Sequence, residues 1–266
     1  MHEFAYHRPD SVSAAIALRR GAADGAYLAG GMTLIPTMKQ RLAEPSDLVD
    51  LGAVEDLAGV RIEGRTLIVG AMTRHAAVAA SDDVRRALPA LAALAGQIGD
   101  RQVRNRGTLG GSVANSDPAA DYPAAVIGLG ATIRTDQREI GADDYFKGLF
   151  ETALEPGELI REIAFAIPTR AAYRKFPHPA SRFAIVGVFV ADFGGGKVRV
   201  GVTGAGACAF RPTAIEQALA ARLDPAALDG VALDSSQFNS DLAASAAFRA
   251  QLVRVMAKRA VQDLLA

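Results

Sequence analysis

The chain has 266 residues, half of them apolar, with 29 basic side chains against 29 acidic ones. That length suits one large domain or two modest ones with a full core, and the charge balance removes any broad electrostatic attraction to nucleic acid or an anionic membrane. Cys208 is the sole cysteine, which excludes an intrachain disulfide and any iron–sulfur cluster ligated by this chain alone, because clusters take about four thiolates.

In chain order, residues 11–20 read as a helix capped by Ser11, with Val12, Ala15 and Ile16 at helical spacing. Short strands follow at 26–29, 48–51 and 67–69. The Ala/Leu-rich stretch 81–98 reads as a helix that Pro89 bends or splits. Residues 99–122 are polar, glycine-rich and poor in large apolar side chains, the pattern of a long loop that is either functional or disordered. Within it, Asp117-Pro118 is a helix-start signature that would place Asp121 one turn in. A helix at 124–129 and a strand at 131–134 come next, then a turn at Glu155-Pro156-Gly157 and a strand at 159–167. The pattern changes after Pro168, which places a domain boundary between 1–168 and 169–266. Beyond it, 173–176, 184–193 and 197–203 read as consecutive strands, the last two joined by Gly194-Gly195-Gly196. Helices close the chain at 213–222, near 226–228 and at 245–265; on the last, Phe248, Leu252, Met256 and Ala260 form an apolar stripe with Arg249, Arg254 and Lys258 off it.

Two glycine loops carry most of the chemical information: Ala29-Gly30-Gly31-Met32-Thr33-Leu34-Ile35-Pro36, and the segment Arg104 to Asn115 containing Gly107-Thr108-Leu109-Gly110-Gly111-Ser112. Paired glycines let backbone N–H groups approach a ligand and form a concave anion site. Thr33, Thr108 and Ser112 add hydroxyl donors, and neither loop holds the lysine of an ATP-type phosphate loop. Such loops suit a pyrophosphate that is held and not cleaved; a single Gly-Gly pair would be read as a tight turn. Asp121 taken alone would only complement a helix end; the functional reading has its carboxylate accept hydrogen bonds from cofactor hydroxyls.

Gly204-Ala205-Gly206-Ala207-Cys208-Ala209 matches the dinucleotide pattern G-x-G-x-x-G/A after a predicted strand. It is read as a strand end and turn, because Pro212 disfavours helix at Arg211 and Thr213 with Glu216 forms a capping box for a helix that starts later.

The two glycine loops resemble those of the FAD-binding medium subunits of molybdenum hydroxylases, of the aerobic carbon monoxide dehydrogenase type. The resemblance runs nearly end to end through Tyr6-His7-Arg8-Pro9, Asp47-Leu48-Val49-Asp50-Leu51 and Ile68-Val69-Gly70-Ala71-Met72-Thr73. It continues through Asp117-Pro118-x-x-Asp121, Glu155-Pro156-Gly157-Glu158-Leu159 and Tyr173-Arg174-Lys175-Phe176, and ends in the closing helix at Phe248-Arg249 and Arg259-Ala260. It implies an α+β protein: a two-lobed FAD-binding domain of the vanillyl-alcohol-oxidase (PCMH) type, then a small C-terminal α+β domain with a three-stranded antiparallel sheet. It implies noncovalent FAD, with the pyrophosphate held by Ala29, Gly30, Gly31, Met32 and Thr33 and by Thr108, Leu109, Gly110, Gly111 and Ser112, and with Leu34 also binding the cofactor. Ala114, Ala120 and Asp121 would border the cofactor, Lys175 would reach toward the flavin, and Phe183 would lie near the isoalloxazine. A basic group near the flavin N1 would stabilise its reduced, anionic form. Met32, Thr33 and Leu109 depart from the commoner polar residue, serine and isoleucine at their positions.

The resemblance further implies a heteromeric complex. A molybdenum-cofactor large subunit oxidises substrate, a small subunit carries two [2Fe–2S] clusters, and this chain passes their electrons through FAD to an external acceptor, with no catalytic residue or metal ligand of its own. His2, His7, His75 and His178 show no metal-ligand spacing. A stand-alone FAD oxidoreductase is the alternative; it would need a base facing the flavin, for which His75 and His178 are the candidates. A non-catalytic assembly subunit is a third reading, opposed by the intact glycine loops. No apolar run has transmembrane length, and the start Met1-His2-Glu3-Phe4 lacks the basic and apolar regions of a signal peptide, so the cytoplasm is the expected location.

Overall fold

The computed structural model describes residues 1–266. Three sheets organise the chain. The first is parallel, in the order Ala5–His7, Asp47–Asp50, Gly25–Leu28. Helix Val12–Gly21 covers it, started by Ser11, whose Oγ accepts the Ala14 N–H at 3.3 Å, and anchored by fully buried Ala15. The second sheet is antiparallel, in the order Val60–Glu63, Thr66–Gly70, Ile160–Ala166, Thr132–Thr135, Glu139–Gly141.

The third sheet is antiparallel: Arg170–Pro177, Ala184–Asp192 and Val198–Thr203. Gly194, Gly195 and Gly196 all adopt positive φ in the hairpin between the last two strands. Ala184–Asp192 is buried at every position because it is the central strand, covered on both faces. Strand alternation sorts its neighbours. Tyr173, Phe189 and Ala191 join the core of the preceding residues, whereas Ala172, Val186, Val188 and Val190 join a second core with Leu252, Val253, Met256 and Ala260 of helix Ala246–Leu265. Helix Tyr122–Gly128, buried throughout, lies on the first of these faces. The expected α+β architecture with its three-stranded antiparallel sheet is therefore present.

Of the two outcomes expected at Pro89, splitting is the one observed: Asp82–Ala87 ends before it and Pro89–Gly96 begins with it. Several local expectations are corrected. Residues 99–122 are not one long loop. They contain helices Arg101–Arg106 and Leu109–Asn115, capped by Asp100 (Oδ1 to Val103 N, 2.8 Å) and Thr108 (Oγ1 to Gly111 N, 3.2 Å). The second helix forms despite Gly110-Gly111 because Leu109 and Val113, one turn apart, are both fully buried.

Asp117-Pro118 does not start a helix either. Asp117 Oδ1 accepts the Ala119 N–H at 2.8 Å in a local turn, and helix starts at Tyr122. The Pro118 carbonyl instead accepts the Gly204 N–H and the Thr203 hydroxyl, which ties this segment to the third sheet. The Thr213–Glu216 capping box is absent: Pro212 precedes the helix without a side-chain cap, and Glu216 is drawn to the Val200 N–H (2.8 Å) and the Arg211 guanidinium (2.7 Å). On the last helix the stripe is misplaced at one end. Phe248 is exposed, packing edge-on against Phe176, while Arg249 is buried, donating to the carbonyls of Ile185 (2.6 Å) and Gly204 (2.8 Å).

Candidate functional site

A cavity of about 490 Å³ runs between the two glycine loops and out to the third sheet. That size is within the range of small-molecule and cofactor sites. The first loop leaves strand Gly25–Leu28 and runs into helix Leu34–Lys39. It rests directly on the second loop: a Cβ on Gly30 would lie 2.2 Å from the Arg106 carbonyl oxygen and 2.7 Å from Gly107 Cα. Gly31 takes φ +71°, a left-handed conformation that glycine adopts without strain. The bends are thus in contact, and both face the cavity.

Their backbone chemistry differs. The N–H groups of Gly30, Gly31, Met32, Thr33 and Leu34 find no acceptor within the chain. This is a run of consecutive donors on a cavity wall, the arrangement that holds an anion. In the second loop most amides are already used. Leu109 N–H donates to Thr73 O (3.0 Å), Gly110 N–H to Ala71 O (2.8 Å), Gly111 N–H to Thr108 Oγ1 (3.2 Å) and Ser112 N–H to Thr108 O (3.1 Å). This loop therefore offers the cavity bare glycine surface and the Ser112 side chain more than free amides.

Among the expected site residues, Ala29, Gly30, Gly31, Met32, Thr33 and Leu34 line the cavity. So do Thr108, Gly110, Gly111, Ser112, Ala114, Ala120, Asp121 and Phe183. Leu109 and Lys175 do not. Leu109 is fully buried as the first residue of its helix. The Lys175 side chain, only 3% exposed, turns to Asp121 behind the wall. Sequence reasoning missed several wall residues. Leu154, Glu158, Leu159, Ile160, Ile98, Gly99, Val103 and Arg182 also line the cavity; His75, named above only as a candidate base, lines it too. Glu158 and Leu159 lie in the Glu155–Leu159 motif, the one signal that pointed to them.

Asp121 is a buried carboxyl group on the wall. Its Oδ1 accepts the Tyr173 hydroxyl at 2.6 Å and the Lys175 ammonium at 2.9 Å. Burial raises its pKa, and Lys175 and the Tyr173 hydrogen bond oppose that rise. Burial, with Asp121 adding to it, also raises the Tyr173 phenol, so Tyr173 acts as a neutral donor. Burial lifts Asp117 too, against the Ala119 N–H. His75 is pushed down to about 4 by burial and then by the Arg104 charge, which keeps its imidazole neutral, and its Nδ1 is buried without a partner. His178 lies outside the wall and uses Nδ1 to accept the N–H groups of Ala180 (3.2 Å) and Ser181 (3.3 Å).

These features fit a dinucleotide: apolar wall residues for ring systems and a cradle of free amides for a diphosphate. Fold and site together define a two-lobed FAD-binding flavoprotein. The family described as FAD binding domain in molybdopterin dehydrogenase matches residues 2–169. The carbon monoxide dehydrogenase medium chain of Afipia carboxidovorans is 38% identical over 97% of this chain and 96% of its own length. The glyceraldehyde dehydrogenase medium chain of Sulfolobus acidocaldarius is 30% identical, covering 98% of each. Among solved structures, a Cu,Mo-CO dehydrogenase chain superposes with TM-score 0.91 at 36% identity over 98% of this chain and 97% of that one. Quinoline 2-oxidoreductase from Pseudomonas putida 86 gives 0.85 at 27% identity over 99% and 97%. The chain belongs to the FAD-binding subunit family of molybdenum hydroxylases, a family of oxidoreductases, and its cofactor is FAD. No helix is long and apolar enough to cross a membrane.

Proposed function

We propose that this chain is the electron-transfer subunit of a molybdenum-dependent hydroxylase or dehydrogenase complex. In this reading it works beside a molybdenum-cofactor large subunit and a small [2Fe–2S] subunit, in the cytoplasm. When bound, FAD supplies the redox chemistry, taking up electrons from the clusters and releasing them to an external acceptor. The protein's share is to bind, orient and shield. The free amides of Gly30 to Leu34 would hold the diphosphate, and the Ser112 hydroxyl, also on the wall, would add a donor. Asp121 would offer a carboxylate to the cofactor's hydroxyls and Phe183 an apolar surface to a ring, with a flavin domain at 1–168 and a smaller domain at 169–266. The substrate of the complex is a property of another chain.

The observation that carries the reading is the run of unpaired N–H groups on a cavity wall, formed where one glycine loop touches the other. The alternative of a self-sufficient oxidoreductase is weakened by the wall's only histidine, His75, whose imidazole is held neutral yet buried. The test is to purify the chain with whatever accompanies it, record the visible spectrum and identify the companions by mass. A flavin spectrum together with partners carrying molybdenum cofactor and clusters is expected. A flavin-loaded chain that turns over a small substrate with no partner would overturn it.

A further inference from the structure

The cavity wall does not by itself balance the charge of a diphosphate. Its charged side chains are Asp117, Asp121, Glu158 and Arg182. Lys175 pairs with Asp121 at 2.9 Å and Arg138 with Glu158 at 3.0 Å, which leaves the wall near neutrality. A row of backbone amides meets an anion with partial charges only. A second hollow, of about 290 Å³, lies against the same bend. Ala29, Gly30, Leu51, Met72 and Thr108 line both spaces, so one layer of chain separates them. Arg8, Arg74 and Arg106 stand around this hollow, all three exposed. Their guanidinium groups meet no carboxylate or carbonyl of the chain, unlike Arg61, Arg134 and Arg138, each of which is held by a glutamate. The acids of the hollow are Asp50 and Glu55, and Asp50 already accepts the Tyr6 hydroxyl and the Gly52 N–H. Two of the arginines are fixed to the second glycine loop through their backbone. Arg74 bridges to Thr108, and Gly30 rests on the Arg106 carbonyl. Arg8 follows strand Ala5–His7.

We propose that Arg8, Arg74 and Arg106 form a cationic collar behind the bend, whose field holds the cofactor's diphosphate across one layer of chain. The inference rests on the FAD reading above and adds three binding residues that do not line the cofactor's cavity. A guanidinium keeps its charge throughout the physiological pH range. Three like charges without counter-charges repel one another, and an anion within reach relieves that repulsion. Exposed charges act weakly one at a time and are screened by salt, so the collar works as a sum and fades as ionic strength rises. The free amides of Gly30 to Leu34 fix where the diphosphate lies, and the collar supplies the net charge that attracts it. No guanidinium has to touch a phosphate oxygen, so charge matters here and the shape of the head group does not.

The test uses the FAD-loaded full chain with the partners that accompany it. Release of FAD after dilution is followed by the recovery of flavin fluorescence over a range of KCl concentrations. Wild type is compared with Arg8→Gln, Arg74→Gln and Arg106→Gln, and with Arg8→Lys, Arg74→Lys and Arg106→Lys. All six replacements fall at exposed side chains, so the core stays packed. Each glutamine variant should release FAD about threefold faster than wild type at low salt, and the Arg74→Gln, Arg106→Gln double variant about tenfold faster. These differences should shrink below about twofold near 1 M KCl, where the Debye length is about 3 Å. The lysine variants should keep the wild-type rate, because they keep the charge. Glutamine variants that release FAD at the wild-type rate in low salt overturn the proposal. So does release that is faster by the same factor in the glutamine and lysine variants at every salt concentration, the mark of a purely structural role. A wild-type chain that holds no flavin overturns the cofactor reading and the collar with it, whereas either result above, obtained with flavin held by wild type, overturns the collar alone.

Discussion

Asp121 and Tyr173 are 52 positions apart in sequence, yet Tyr173 donates its hydroxyl to Asp121 Oδ1 across 2.6 Å of buried space. The bond joins the segment before helix Tyr122–Gly128 to the third sheet at the cofactor wall. Tyr173→Phe removes one of two donors to a buried carboxylate, so it should lower unfolding free energy by about 1–3 kcal/mol. Urea titration of the full chain measures this. A midpoint equal to wild type would mean that the hydroxyl contributes nothing and that Lys175 alone satisfies Asp121.

Gly30→Ala tests the contact between the loops. The new methyl would fall 2.2 Å from a backbone carbonyl, and no side chain there can swing aside. The loops must part, which displaces the row of free amides. FAD affinity should fall at least about tenfold, ~1.4 kcal/mol, measured as the flavin-to-protein ratio after gel filtration and by titration of the apoprotein. Retention of full flavin content would separate the amide cradle from cofactor binding.

Local signals in the sequence were the legible ones. The Ser11 cap, the break at Pro89 and the triple-glycine hairpin each act within a few residues, and each marks the chain where the structure changes. Helices Arg101–Arg106 and Leu109–Asn115 were hidden because glycine and polar residues dilute their periodicity, although Asp100 and Thr108 stand at their starts as caps. Glu216 was misread because a distant strand's N–H outcompetes the local one. At the site, the glycine loops announce themselves, whereas Ile98, Val103 and Ile160 reach the cavity only through tertiary packing and look like ordinary core residues. Lys175 matched a family motif, but no sequence pattern shows that Asp121 takes its charge.

Arg249 and Phe248 give a sharp comparison, since helical periodicity ranks them in the wrong order. Arg249 satisfies two buried carbonyls and also reaches Asp241 Oδ2 at 2.7 Å. Arg249→Leu should cost about 2–4 kcal/mol, because the Ile185 and Gly204 carbonyls lose their donors. Phe248, 44% exposed, should cost under about 1 kcal/mol when replaced by alanine. Chemical denaturation of both variants checks the ranking, and the reverse order would restore the stripe as first drawn.

His75 should give folding a pH dependence of definite sign. Its folded-state pKa is lowered from 6.5 to about 4, first by burial and then by Arg104. Between those two values the unfolded chain binds the proton and the folded chain does not. Unfolding is therefore favoured as pH falls through the window, and stability is regained as pH rises toward 6.5. The full contribution is on the order of 3 kcal/mol. His75→Gln removes the titrating group, so its unfolding free energy should vary less with pH across the same window, whatever its absolute stability. Carboxylates held below their ordinary range, such as Glu162 beside Arg61, lose their contribution only at lower pH and leave a residual slope in both proteins. Urea titrations at several pH values decide it. Parallel slopes for variant and wild type would show that the imidazole takes up its proton in the folded chain as readily as in the unfolded one, which the closed packing of Gly107 against Nε2 argues against.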